Sequence, residues 1–213
     1  MKKQQSGFTL VEIAIVLVII GLLLGGVLKG QEMITQAKIK NVSNDLNGVT
    51  AAVYSYQDRY KRLPGDDPGA NRWALITVPN TTGNNALEGT YNSTTTTDES
   101  RLFWAELRLA GFVSGATDTI ANASVQPINA AGGITGVQNG GLGLVGLVIC
   151  TGSLPAKIAQ AIDTQFDDGI ATTGSVRAML ETTPPTAIPA ALPNGAANYA
   201  DNGTNLYVLC KNQ

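Results

Sequence analysis

The chain has no histidine in 213 residues. Without it neither a Ser-His-Asp nor a Cys-His nucleophile system can be built, and His-ligated zinc or iron is ruled out, so most common hydrolases are excluded. Carboxylate-only or lysine-based chemistry would survive that exclusion, but no paired arrangement of such groups argues for it, and no enzymatic activity is expected. Charge is sparse too, at 14% of residues, with 14 basic and 16 acidic side chains and a formal net charge of −2. No basic face interleaved with aromatics is visible, so nucleic acid is not an expected partner. A Gly/Asn-rich stretch over 130–141 lacks the Lys-Ser/Thr and following helix of a phosphate loop and reads as hairpin turns. The apolar run Leu142–Cys150 is too short to cross a bilayer and reads as a buried strand.

What is present is concentrated at the N-terminus. A basic leader, Met1 to Gly7, precedes 21 residues, Phe8 to Leu28, whose only charge is Glu12. As α-helix that stretch is about 31 Å long, matching a hydrocarbon core of about 30 Å. A cleaved secretory signal would end in small residues resembling Ala-x-Ala. Here Lys29, Gly30, Gln31 and Glu32 follow instead, and a helical pattern continues. An unpaired Glu12 carboxylate inside a bilayer would cost about 2.5 to 3.5 kcal/mol on insertion scales, so a partner for it is expected.

The string Gly7-Phe8-Thr9-Leu10-Val11-Glu12, placed after Lys2 and Lys3 and opening the apolar run, resembles the prepilin signature of type IV pilins and type II secretion pseudopilins. The resemblance implies that prepilin peptidase cuts between Gly7 and Phe8 and N-methylates Phe8. It also implies that Glu12 pairs with the terminal ammonium of a neighbouring subunit, setting the axial register of a filament. Glycine at the cut offers no side chain and tolerates an extended backbone. Lysines in the leader favour the cytoplasmic side. The implied partners are other pilin or pseudopilin subunits, prepilin peptidase, an inner-membrane assembly platform and the membrane itself. The implied location is the bacterial inner membrane, single pass with the N-terminus cytoplasmic, and later a periplasmic or cell-surface filament. A proline common in the family just past the apolar run is replaced by Lys29, so no proline kink is expected there.

Beyond residue 28, Val42, Leu46, Val49, Val53, Tyr56 and Tyr60 recur at steps of three and four, while Asn41, Asp45, Asn47 and Asp58 lie off that seam. The spacing predicts one helix from about Phe8 to Tyr60, apolar all round at first and striped later. Gly21, Gly25 and Gly26 suit close helix packing or local unwinding. Pro64 and the Pro-Gly and Asp-Pro pairs in YKRLPGDDPGA end the helix, and this run resembles the segment after the long helix in pilin-like proteins. Asp66 and Asp67 could ligate calcium, but such a site needs six to eight oxygens and only two carboxylates are adjacent, so solvation is the expectation. Ala70 to Thr97 reads as a polar surface loop carrying Asn-x-Ser/Thr triplets at Asn80 and Asn92. Asp98 is placed as N-cap of a helix from Glu99 to Ala110 ended by Gly111, with Phe103 and Trp104 in the core. A further helix is expected from Ser153-Leu154-Pro155 to Phe166. The proline-rich stretch Thr182 to Asn202 is expected to be loop, and Leu206 to Cys210 a last strand.

Asp163, Asp167 and Asp168 form the densest acidic cluster, with Asp163 and Asp167 on one helix face. A calcium ion, pairing with Arg177 or Lys157, or solvation would each relieve the repulsion; no other cofactor is expected. IDTQFDDGIATTGSVRA again resembles a pilin-like segment, without an assigned role. With the leader inside, the remainder lies in an oxidising periplasm, so Cys150 and Cys210 are expected to form a disulfide rather than remain free. It would fasten the C-terminal strand to the sheet, much as pilins close their C-terminal loop.

The expected organisation is a leader at 1–7, a transmembrane or filament-core helix at 8–28, an amphipathic half-helix at 29–60 and a periplasmic globular domain at 61–213. The fold class is α+β and pilin-like: a long N-terminal helix on a small antiparallel sheet with short extra helices. The expected function is that of a filament subunit, major or minor, in a type IV pilus or type II secretion pseudopilus. A non-polymerising, membrane-anchored periplasmic binding module is the alternative.

Overall fold

A computed structural model describes residues 9–77 and 83–213. The chain divides into two units, Met1–Ala37 and Lys38–Gln213. Helix α1 runs over Leu10–Tyr60. It stops where Lys61 takes a left-handed conformation, φ 57°, and its N–H donates to the Gln57 carbonyl at 2.8 Å. The helix thus closes with a left-handed cap three residues ahead of Pro64.

In the second unit, α2 (Glu99–Leu109), the short α3 (Ile120–Ala123) and α4 (Ala156–Phe166) accompany β1 (Thr135–Gly141), β2 (Leu144–Pro155), β3 (Val176–Leu180) and β4 (Leu206–Asn212). These strands form a four-stranded sheet among the described residues, in the order β1-β2-β4-β3 with every pair antiparallel. The architecture is α+β and pilin-like, with the Ile39–Tyr56 part of the long helix packed on the sheet. Alternation along the strands sorts side chains onto two faces. Val137, Ile149, Val176, Ala178 and Leu209 join Val42, Leu46, Val49, Val53 and Tyr56 of α1, with Phe103, Trp104 and Leu107 of α2, in one core. The opposite face carries Val148, Cys150, Val208 and Cys210, covered by Tyr91, Leu142 and Ile188. Cys150 and Cys210 are direct cross-strand neighbours of β2 and β4 and are joined by a disulfide, Cα to Cα 4.0 Å.

Several expectations need correction. Residues 135–141, read as turn, are strand β1, because a second backbone runs against them: a Cβ at Gly136 would sit 2.1 Å from the Tyr91 carbonyl oxygen. Only glycine fits there, so the residue that looked like a turn signal marks a close approach. Ser153, Leu154 and Pro155 do not open a helix. They extend β2, with Leu154 opposite Tyr207 and Pro155 opposite Leu206 beyond an irregularity at Thr151, and α4 begins at Ala156. Asp98 stands at the N-cap of α2, but its carboxylate makes no cap bond and instead accepts the Ser93 hydroxyl at 2.6 Å. β3 had no counterpart among the expected elements. The loop after Ala70 is less polar in effect than in composition, since Ile76, Leu87 and Tyr91 are buried.

Candidate functional site

Cleavage and methylation residues Gly7 and Phe8, with Lys2 and Lys3, lie outside the described residues, as does the triplet from Asn80 to Thr82. The description of the first unit begins at Thr9. Its N–H and its hydroxyl donate to Glu12 Oε2, at 2.8 and 2.7 Å, and the Glu12 N–H donates to Thr9 Oγ1 at 3.3 Å. This reciprocal pair is a capping box, Thr-x-x-Glu, which satisfies otherwise orphaned donors at the start of α1. Glu12 was expected to await a partner from a neighbouring chain, and the local partner was missed. The spacing Thr9-Leu10-Val11-Glu12 carried the signal.

From Leu10 to Leu28 every large apolar side chain is 46% to 91% exposed. A Cβ added at Gly21, Gly25 or Gly26 would meet nothing within 4 Å. This stretch is about 28 Å of helix, close to a hydrocarbon core, and α1 is the one helix among the described residues long and apolar enough to cross a membrane. A rod whose large apolar side chains are all exposed among the described residues is stable only in lipid or against other chains. Residues 2–28 match the prokaryotic N-terminal methylation motif. The chain carries a prepilin-type N-terminus. That motif is the hallmark of type IV pilin and pseudopilin precursors, and it implies processing by prepilin peptidase. No curated protein matches the chain.

In the globular unit the acidic cluster does come together: one oxygen each from Asp163, Asp167 and Asp168 lie within 4.8 Å of one another. Each carboxylate already accepts protein donors. Asp163 takes the Tyr199 hydroxyl at 2.6 Å and the Gly169 N–H at 3.2 Å, Asp167 takes the N–H groups of Ser175 and Val176, and Asp168 takes the Ile170 N–H and the Thr173 hydroxyl. Burial pushes the Asp163 carboxyl above its ordinary range despite the opposing Tyr199 hydroxyl and Gly169 amide. Asp168, at the surface, is held below it by the Thr173 hydroxyl and the Ile170 amide. Arg177 does not serve the cluster; its guanidinium donates to the Leu142 and Gly174 carbonyls. The three aspartates organise the turn from α4 into β3.

The pair Asp66 and Asp67, expected to be solvated, is buried. Asp67 Oδ2 accepts Arg72 Nη1 at 2.7 Å and the Tyr56 hydroxyl at 2.8 Å, and Oδ1 accepts the Gly69 N–H at 2.8 Å. Burial raises the Asp67 carboxyl, but the bonds from Arg72, Tyr56 and Gly69 outweigh it and hold the group below the ordinary carboxylate range. Arg72 lies over the rings of Tyr60 and Trp73, 4.4 and 4.8 Å from their centroids, and roofs the cluster. Tyr56 was legible as a seam residue. Its hydroxyl's task was not, because the partners come from residues 67 and 106.

Proposed function

We propose that the chain is a structural subunit, major or minor, of a type IV pilus or a type II secretion pseudopilus. Prepilin peptidase removes Met1 to Gly7 and methylates Phe8, while residues 8–28 hold the chain in the inner membrane with the N-terminus cytoplasmic. The helix then exchanges lipid for the helices of other pilin or pseudopilin subunits at an assembly platform, and the globular domain forms the outer surface. Glu12, capped locally by Thr9, compensates the terminal ammonium of a neighbour, because two opposite charges in low dielectric are each other's best partner and removal of one strands the other. The chain acts by assembly, with neither catalysis nor a cofactor.

The observation that carries this reading is the conjunction of a processing motif over 2–28 with an apolar helix whose large side chains from Leu10 to Leu28 are all exposed among the described residues. Intact-mass spectrometry of the protein from cells with active prepilin peptidase tests it. The expected mass lacks Met1 to Gly7 and gains one methyl group. A chain that keeps Met1 in such cells is a plain membrane anchor for a periplasmic binding module, and the filament reading fails.

A further inference from the structure

Three elements of the globular unit meet at one buried cluster of oxygens. Tyr56 comes from α1, Asp67 from the turn after it, and Glu106 from α2; their side chains are at most 1% exposed. The Tyr56 hydroxyl oxygen is 2.8 Å from Asp67 Oδ2 and 3.0 Å from Glu106 Oε2. Glu106 Oε2 also accepts the Gly65 N–H at 2.7 Å, where a Cβ on residue 65 would come within 2.5 Å of the Glu99 carbonyl oxygen. Charged and titratable groups facing Glu106 are therefore Tyr56 from α1 and Asp67 and Arg72 from the turn.

Hydrogens can be counted along this chain. Two short contacts link three oxygens, and the phenol supplies one hydrogen. Asp67 is ionised by its ion pair with Arg72, so the phenol's hydrogen goes to Asp67. The Tyr56–Glu106 contact then needs a hydrogen of its own, which only Glu106 can carry. Two unprotonated oxygens 3.0 Å apart in a dry site would repel.

We propose that Glu106 is a neutral carboxylic acid in the folded domain and that its proton, donated to Tyr56, locks α2 to the end of α1 and the Gly65–Arg72 turn, so that the lock weakens in alkali. Burial is the main cause keeping the proton in place and pushes the Glu106 carboxyl up to about 8, against the opposing Gly65 amide. The sign follows from linkage. Below the unfolded-state value near 4.5 both states hold the proton; between about 4.5 and about 8 only the folded state does, so stability falls as pH rises; above about 8 the proton is gone from both.

The test uses the full-length chain in detergent micelles, labelled with carbon-13 at the glutamate carboxyls, of which the sequence has six. One of the six is expected to titrate with a midpoint near 8, and its resonance is expected to vanish in Glu106→Gln. All six titrating below about pH 6, or the late signal surviving in Glu106→Gln, overturns the proposal. Should Glu106→Gln fail to fold, Glu99→Gln and Glu181→Gln remove the other buried glutamates, and persistence of the late signal in both supports Glu106 while its loss in either overturns it. In denaturant titrations the ratio of wild-type to Glu106→Gln folding constants is expected to fall about tenfold per pH unit between about 5 and 8; a flat ratio overturns the lock.

Discussion

Two stretches of the same helix follow opposite rules. Over Leu10–Leu28 apolar residues cover every side and all the large ones are exposed, whereas from Ile39 to Tyr56 the large apolar residues other than Tyr54 keep to one stripe and that stripe is buried. The second stretch is satisfied by its own chain, through the sheet, α2 and α4. The first is not, and its apolar surface has to be covered by lipid or by other polypeptides. Uniform against striped hydrophobicity thus separates the part of the molecule that needs lipid or other chains from the part that holds the domain together.

The largest expected effect falls on the satisfied region. Replacing both cysteines, Cys150→Ser with Cys210→Ser, frees a loop of separation 60 and is expected to cost about 4 kcal/mol by the chain-entropy relation. Denaturant unfolding in detergent measures it. A loss below about 1 kcal/mol would mean that the sheet closes without the bridge. Next, Leu46→Ala in the buried seam is expected to cost about 3 kcal/mol, while Leu17→Ala in the exposed stretch changes domain stability by less than about 0.5 kcal/mol. Equal losses would erase the contrast between the two stretches. Smallest is the effect of metal removal: with the oxygens of Asp163, Asp167 and Asp168 engaged by Tyr199 and backbone amides, chelator should leave the melting temperature unchanged. A drop of several degrees would show that calcium is part of this turn.

How much could be read from the chain alone varied with the range of the contacts involved. The α1 seam, α2 and the last strand were legible because helix and strand periods are local properties of the sequence. The cysteine pairing was legible for a different reason, since only two cysteines exist. β1 was not, because its Gly136 answers to the backbone at Tyr91, which lies far off in sequence. Likewise Asp67 looks like a surface carboxylate until the turn brings it to the Tyr56 hydroxyl, which Glu106 of α2 also meets. At the N-terminus the processing motif was plain, yet the capping role of Thr9 was overshadowed by the expectation of an intersubunit partner for Glu12.

The central claim is that the exposed helix exchanges lipid for neighbouring subunits and that Glu12 sets their register. Its most direct test is Glu12→Val co-expressed with the wild-type chain, with membrane fractions and sheared fibres quantified separately. The account predicts wild-type levels of the variant in the membrane and its absence from the fibres. Incorporation of the variant into fibres in proportion to its expression would contradict it.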